Sequence, residues 1–149
     1  MKNLIKTFVQ NTQDSANSIG SLALRVPAGI IFAAHGAQKL FGWFGGYGLQ
    51  GTAGWMESIG LTPGIPLTLM AGGAEFFGGL ALILGLLTRP AAFVLAITML
   101  VAIFSVHFAN GLFMSNNGYE FGLALLAGTV SLLISGGGRA SIDRLLAKH

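Results

Sequence analysis

The sequence contains no cysteine and very little charge. Only 9% of its 149 residues are Asp, Glu, Lys or Arg, whereas a soluble domain usually carries about 25%. The lack of cysteine excludes disulfide bonds, thiol chemistry and cysteine-ligated iron–sulfur clusters. The lack of charge leaves too little polar surface to face water, because 53% of the residues are hydrophobic and the mean hydropathy is +0.73. The composition therefore predicts an integral membrane protein of one domain.

The few charges that are present are dispersed along the chain. Eight Lys and Arg residues against five Asp and Glu give a net charge of +3. Because no basic cluster is formed, this excess favours membrane orientation and contact with anionic lipid over a nucleic-acid partner. No cleavable signal peptide is predicted, since the first twenty residues turn polar at residues 10–14 before any long apolar run begins.

Four apolar stretches dominate the rest of the chain, at about residues 21–44, 64–87, 89–108 and 119–135. Each approaches the roughly 20 residues that a membrane-spanning helix needs. The runs are unbroken and do not alternate with polar residues, which predicts helices. Short connections make neighbouring helices antiparallel, so we predict an all-α membrane protein with a four-transmembrane-helix bundle at residues 21–144. Residues 1–20 would form a cytoplasmic segment, either an interfacial helix or a frayed tail, and residues 145–149 a cytoplasmic tail.

The basic residues predict the orientation of such a bundle. If the chain crosses four times, only Lys39 falls toward the outer side, and the positive-inside rule places both termini in the cytoplasm. The outer loop at residues 42–63 is rich in glycine and aromatic residues, which is typical of an aromatic belt at the interface; a gate over a site reached from the membrane is the alternative. The basic residues on the inner side are Lys2, Lys6, Arg25, Arg89, Arg139, Arg144 and Lys148.

Small residues recur at a spacing of four in the predicted helices. This pattern lets helix backbones approach closely and indicates packing, with no chemistry of its own. The residues concerned are Gly29, Ala33 and Ala37 in the first helix, Ala71 and Gly79 around Glu75 in the second, and Ala124 and Gly128 in the fourth.

Glu75 lies in the middle of an otherwise uncharged apolar helix. A bare carboxylate near the bilayer centre costs about 2.5–3.5 kcal/mol on insertion scales. Glu75 should therefore be paired, protonated or turned toward a polar cavity. In the first helix, His35, Gln38 and Lys39 are spaced i, i+3 and i+4 and so share one face.

Four segments thus bring polar groups to the outer half of the bundle, because His107 ends the third predicted helix and Glu120 begins the fourth. We interpret Glu75, His35 and Lys39 as candidate catalytic residues. The candidate ligand-binding residues are Gln38, His107, Glu120 and Arg25, of which Arg25 stands apart near the inner end of the first helix. Each also has a structural explanation: Lys39 and Arg25 can snorkel to the interface, and Glu75 can form a pair that locks two helices together.

The residue types of this cluster suit three chemistries to different degrees. A haem between His35 and His107 is disfavoured because the two residues differ in depth by about two helical turns. A divalent metal is disfavoured because no close ligand spacing such as HExxH occurs. A quinone-like molecule, or another small molecule with a polar head, is favoured: His35 or Lys39 would donate to its oxygen and Glu75 would relay protons.

Several segments resemble the DoxX family of membrane proteins, over roughly residues 21–144. The resemblance implies a four-helix protein of the bacterial inner (plasma) membrane. The family takes its name from a subunit of a thiosulfate:quinone oxidoreductase, and some relatives are tied to quinone or oxidative stress. The segments that carry the resemblance are residues 24–40, residues 74–89, Gly118-Tyr119-Glu120 and residues 136–144, and the matching polar positions are Arg25, His35, Lys39, Glu75 and Glu120.

Two functional hypotheses follow, together with a less favoured third. The chain is a membrane subunit or small enzyme of quinone-linked redox or oxidative-stress defence, and it would then need a redox partner protein. Alternatively, it is a non-catalytic assembly or chaperone-like protein whose polar residues lock helices or a partner interface. A small transporter is disfavoured because no inverted repeat is evident and four helices form a small pathway unless the protein forms a homo-oligomer.

Overall fold

The computed structural model describes the backbone of residues 2–147 and the side chains of residues 19–147. All regular secondary structure in this part of the chain is helical, and it contains no strand. The interfacial interpretation of residues 1–20 depends on side chains outside the described residues, as does the contribution of Lys148. The α-helices are α1 (Lys2–Phe41), α2 (Gly48–Ser58), α3 (Gly64–Leu84), α4 (Thr88–Ala102), α5 (Glu120–Ser135) and α6 (Ile142–Leu146).

Three helical segments are long and apolar enough to cross a membrane. They are Ile19–Phe41 within α1, Gly64–Leu84, which is α3, and Thr88–Asn110. The last joins α4 to a π-helical turn at Ile103–His107 and a 3-10 turn that ends at Asn110. Three of the four predicted spans are thus confirmed by length and composition. The fourth, α5, is apolar but has only 16 residues, or about 24 Å of helix.

The segment between α1 and α3 differs from the prediction, which made residues 42–63 an outer loop. The structure forms the eleven-residue helix α2 there. Its buried side chains include Thr52 and Met56, which pack toward α3, and the Thr68 hydroxyl donates to the Met56 sulfur at 3.4 Å. The sequence did not predict this helix, because three of its eleven residues are glycine and glycine disfavours an isolated helix. Packing against α3 stabilises α2, although the intrinsic helix propensity of its residues is low.

The aromatic residues of this segment point away from the protein interior. Trp43, Phe44, Tyr47 and Trp55 are all exposed. Rings that combine an apolar body with a polar tip, such as Trp and Tyr, collect where a membrane protein meets the water interface. The arrangement therefore fits the interfacial-belt interpretation better than a closed gate.

The backbones of α1 and α3 are in direct contact. A Cβ atom on Gly29 would lie 2.6 Å from the carbonyl oxygen of Gly79, and one on Gly36 would overlap the backbone nitrogen of Phe76. Side chains larger than hydrogen therefore cannot occupy these positions without separating the helices. The small-residue pattern predicted this close approach, which gains dispersion energy where apolar lipid provides no hydrophobic drive.

The apolar core connects four helices. Phe32 of α1, Leu82 of α3, Leu95 and Met99 of α4 and Leu132 of α5 form one buried cluster. Large apolar side chains such as Ile30, Phe77, Phe93 and Ile134 remain exposed on the outside of the bundle. A protein that is apolar both inside and outside is suited to a lipid surround.

The packing of α1 on α3 generates a first prediction. We expect Gly36→Ala to lower the free energy of unfolding by about 1–3 kcal/mol, because the added methyl overpacks a backbone contact. Gly73→Ala is the matched control: a Cβ there meets no atom within 4 Å, and the exchange of helical Gly for Ala should be neutral or stabilise by up to about 1 kcal/mol. Thermal unfolding in one detergent measures both. Equal melting temperatures for the two variants would contradict the close contact.

Candidate functional site

The close approach of α1 and α3 places Lys39 opposite Glu75. The Lys39 Nζ atom lies 2.6 Å from Glu75 Oε2. Glu75 is 4% exposed, and the Lys39 side chain is 24% exposed. A Cβ on Gly72 would come 3.2 Å from the Lys39 Cβ, so the glycine makes room for the lysine stem. The expectation that Glu75 is paired is confirmed, and the pair is a short, charge-assisted hydrogen bond.

The Glu75 carboxylate belongs to the middle of the candidate span Gly64–Leu84, whereas Lys39 lies two residues before the end of the span Ile19–Phe41. Glu75 follows Gly64, the first residue of α3, by eleven positions, which is about 16 Å along the helix and about half of a hydrocarbon core. Removing two charges from water is costly, and their attraction offsets that cost only while both partners are present. The pair can therefore lock α1 to α3, and it can also hold a proton-exchanging group deep in the membrane.

His35 lies one helical turn before Lys39 and is exposed on the surface of the bundle. Its ring centroid is 6.0 Å from that of Phe121 at the start of α5. His35 therefore lies at the seam between α1 and α5, within the span Ile19–Phe41. Ionisable side chains at such depth almost always face the bundle interior or a water-filled cavity. An imidazole that is open to the surroundings here is available to a ligand that arrives through the lipid.

Gln38 makes a backbone contact that its helical face did not predict. Its Nε2 atom donates to the carbonyl oxygen of Phe44 at 3.2 Å. Phe44 belongs to the short 3-10 turn Trp43–Gly45 that follows α1. The Gln38 amide therefore holds this turn against the end of α1.

His107 and Glu120 belong to the connection between α4 and α5. The Nδ1 atom of His107 lies 2.9 Å from the carbonyl oxygen of Asn117, and the Asn110 amide donates to the same oxygen at 3.2 Å. The backbone N–H of Glu120 donates to the carbonyl of Leu112 at 2.8 Å. These bonds organise the connection itself.

The structure thus brings together three of the predicted site residues, His35, Lys39 and Glu75. Within residues 19–147, no hydrogen bond joins His107 or Glu120 to the Lys39–Glu75 pair. Over the same residues, no group of three His, Asp or Glu side chains is placed to hold a metal ion.

Arg25 does not snorkel to the interface, contrary to the structural explanation considered for it. Its side chain is 1% exposed. Nη1 donates to the carbonyls of Leu82 at 3.0 Å and Ile83 at 2.7 Å, in the last turn of α3. Helix C-terminal carbonyls lack partners within the helix and carry partial negative charge, so a guanidinium both satisfies and neutralises them.

The same guanidinium also holds the chain that follows α5. Nε donates to the carbonyl of Gly137 at 3.1 Å, and Nη2 donates to that of Ala140. The Ser21 hydroxyl adds a bond of 2.7 Å to the carbonyl of Gly136. We call residues 136–143 the C-terminal strap. The sequence analysis did not predict this strap. Two features of the sequence could have indicated it: Arg25 within the apolar first helix, and the three consecutive glycines at residues 136–138 after the last apolar helix.

Asp143 attaches the far end of the strap to the start of α4. Its two carboxylate oxygens accept the backbone N–H groups of Leu87 at 2.6 Å and Thr88 at 2.9 Å, and its own N–H donates to the carbonyl of Gly85 at 2.9 Å. Burial alone would raise the pKa of the Asp143 carboxyl. The Thr88 N–H and hydroxyl, the Leu87 N–H and the charge of Arg25 outweigh it, so the pKa lies below its usual value.

Gly85 is required where the strap meets the turn between α3 and α4. Its φ of +66° is in the left-handed region, and a Cβ there would lie 2.5 Å from the Ser141 Cβ and 3.0 Å from the Arg25 guanidinium carbon. Both the backbone conformation and the space available therefore demand glycine.

Comparison with known proteins adds relatives from several bacteria. The DoxX family model matches residues 20–108. The chain is 38% identical to "Inner membrane protein YqjF" of Escherichia coli over 87% of this chain and 94% of the relative. It is 34% identical to "Putative oxidoreductase CatD" of Bacillus subtilis over 87% and 89%, and 33% identical to "Uncharacterized membrane protein Rv3486" of Mycobacterium tuberculosis over 86% and 82%. No solved structure matches the chain.

The contacts of Arg25 predict that lysine cannot replace it. A lysine keeps the charge but has a single nitrogen, which cannot reach carbonyls of both α3 and the strap as the planar fork does. We expect Arg25→Lys to lower the free energy of unfolding by about 3 kcal/mol or more and to expose the strap to limited proteolysis. Arg139→Lys is the control, since Arg139 is exposed and its exchange should change neither property. A strap that stays protected in Arg25→Lys would show that Arg25 does not hold it.

The lowered pKa of Asp143 predicts a pH-dependent contribution to stability. A carboxyl whose pKa is depressed on folding stabilises the fold above its unfolded value, here 3.8, and loses that contribution as the pH falls through the folded value. The native protein should therefore melt higher than Asp143→Asn at pH 6, and this difference should shrink progressively below about pH 4. Thermal unfolding of both proteins across that range measures the difference. A gap that stays constant down to pH 2 would show that the charge of Asp143 contributes nothing.

Proposed function

The chain belongs to the DoxX family of membrane proteins, and from this premise we propose that it serves quinone-linked redox chemistry or oxidative-stress defence in the bacterial inner membrane. It would act as a membrane subunit or as a small enzyme. We further propose that α5 is the fourth span, with local thinning of the bilayer around its shorter length, and that both termini face the cytoplasm. The positive-inside rule supports this orientation, because Arg89, Arg139 and Arg144 lie at the end opposite Lys39.

The observation that carries the proposal is the exposed His35 beside a buried ion pair at the same depth. His35 is open at the seam between α1 and α5, and Phe121 provides an aromatic wall. One turn away, Lys39 and Glu75 form their 2.6 Å pair. A quinone-like head group needs a donor for its carbonyl oxygen and a flat apolar surface for its ring, and these residues supply both. The printed name of the Bacillus subtilis relative, "Putative oxidoreductase CatD", agrees with this class of function.

The proposed chemistry divides the work between this chain and a redox partner. Reducing a quinone to a quinol takes up two electrons and two protons. His35 would hold the head group by donating to a carbonyl oxygen, and the Lys39–Glu75 pair would pass protons toward it. The electrons would come from a partner redox protein, and this chain has no cysteine that could supply them by thiol oxidation.

A second function is favoured by the same ion pair. Glu75 and Lys39 meet where the backbones of α1 and α3 are closest, so the pair is well placed to lock the two helices. The protein would then be a non-catalytic assembly or chaperone-like protein, and its polar cluster would be structural.

Quinone binding to purified protein separates these functions. We expect short-chain ubiquinone and menaquinone analogues to raise the melting temperature of the native protein in detergent, by about 2.7 kcal/mol of stabilisation at 100 times the dissociation constant. His35→Gln should melt like the native protein without ligand, because the side chain is exposed, and should lose the ligand-induced shift. Glu75→Gln should lose the shift and also melt lower, since Lys39 is left unpaired.

His107→Gln is the matched control, because it makes the same exchange in the connection between α4 and α5. It should keep the full quinone shift. If the native protein shows no shift, or if His35→Gln shifts as much as His107→Gln, the quinone site is refuted. The locking function then remains, provided that Glu75→Gln melts lower.

A further inference from the structure

A groove of about 510 Å³ lies at the end of the bundle opposite Lys39. It runs between the first turn of α4 and the chain from Gly136 to Arg144. The quinone-linked function assigns it no role. The groove residues on which its chemistry depends are Thr88, Arg89, Gly137, Gly138, Asp143 and Arg144.

The groove offers hydrogen-bond donors that the described protein does not use. The buried Thr88 hydroxyl lies beside the Asp143 carboxylate, without regular hydrogen-bond geometry among the described residues, so it is not a free donor. In the same part of the chain, the backbone N–H groups of Gly137 and Gly138 donate to no carbonyl. Arg89 uses one nitrogen, Nη2, to contact the carbonyl of Ile134 at 3.1 Å, and its other nitrogens remain for a ligand. The exposed Arg144 adds a second guanidinium.

The acceptors of the groove, in contrast, are already occupied. Both oxygens of Asp143 accept backbone N–H groups. The carbonyl of Gly137 accepts from Arg25, and the carbonyl of Gly138 accepts from the Ser141 hydroxyl at 2.7 Å. An anion with several oxygens therefore fits the groove better than a cation, because the acceptors already receive hydrogen bonds whereas several donors do not give any.

We propose that this groove binds a phosphate group. A phosphate presents several acceptor oxygens, and guanidinium groups recognise it through paired, charge-assisted hydrogen bonds. The carboxylate of Asp143 does not repel such an anion strongly, because two N–H groups and the nearby Arg25 neutralise it. Thr88 is also the first residue of the candidate span Thr88–Asn110, so the groove opens at the membrane boundary. The phosphate can accordingly belong to a phospholipid head group or be free in solution.

Binding to the full-length protein in uncharged detergent tests the proposal. The two probes are inorganic phosphate at constant ionic strength and short-chain phosphatidylglycerol. Short-chain phosphatidylcholine, whose phosphate is balanced by its own choline cation, is the comparison of zero net charge. We expect at least one of the two probes to raise the melting temperature of the native protein. Arg144→Gln should need roughly tenfold or more of that probe for the same shift, as expected for one lost charge-assisted contact.

Arg139→Gln is the matched control, because it removes the same charge from a residue that does not line the groove. It should respond like the native protein. A response to phosphatidylglycerol alone identifies a lipid head group, and a response to inorganic phosphate that competes with the lipid identifies free phosphate. The proposal is overturned if neither probe shifts the native protein, or if Arg144→Gln and Arg139→Gln respond equally. The melting temperatures without probe show whether each variant is folded.

Discussion

The buried guanidinium of Arg25 holds together parts of the chain that are far apart in sequence. It donates to carbonyls at the end of α3 and to two carbonyls of the C-terminal strap. In a membrane protein these carbonyls have little access to water, and each one left unpaired costs free energy. Burying the guanidinium would be costly if it were alone. Here it stabilises the fold, because it donates hydrogen bonds to carbonyls that would otherwise be unpaired. The strap in turn places Asp143 on the first turn of α4, so the arrangement of α1, α3 and α4 at this end depends on one side chain.

In the opposite half of the bundle, the charged side chains bond to each other and not to backbone carbonyls. Glu75 and Lys39 satisfy each other across the interface of α1 and α3, and glycines bring the two helices close enough for this contact. The Arg25 arrangement is rigid, because most of its donors are used in bonds to backbone that cannot move independently. The ion pair is less constrained, since a proton on Glu75, or a polar ligand beside either residue, can replace the contact. Proton chemistry therefore fits the Lys39–Glu75 half better than the Arg25 half.

Much of this architecture could be predicted from the sequence, because the bilayer imposes simple requirements. The long apolar runs predicted the three helices that can span a membrane. The spacing of small residues predicted the close contact of α1 with α3, and the isolated Glu75 was expected to be paired, protonated or turned toward a polar cavity. Local pattern did not reveal α2, because its glycines disfavour a helix that only packing on α3 stabilises. It also did not reveal the role of Arg25, whose acceptors lie more than 50 positions away in the sequence. The predicted cluster also included His107 and Glu120, which form no hydrogen bond with Lys39 or Glu75 in the described residues. The sequence indicates how deep a residue lies in the membrane, but it does not indicate toward which neighbouring helix the side chain points.

The exposure of His35 deserves a physical explanation that the pairing of Lys39 and Glu75 does not provide. A helix-locking function needs only the buried pair, and it would be served as well by an apolar residue at position 35. An exposed imidazole within an apolar span instead costs insertion energy, and no hydrogen bond among the described residues offsets it. A ligand that is itself dissolved in the membrane, with a polar head of its own to satisfy, would offset that cost. The same reasoning applies to the groove beside α4, where the backbone N–H groups of Gly137 and Gly138 are donors that the described protein leaves unused. At both ends of the bundle, polar groups without hydrogen-bond partners indicate a binding site. Buried polar groups with partners indicate a structural role.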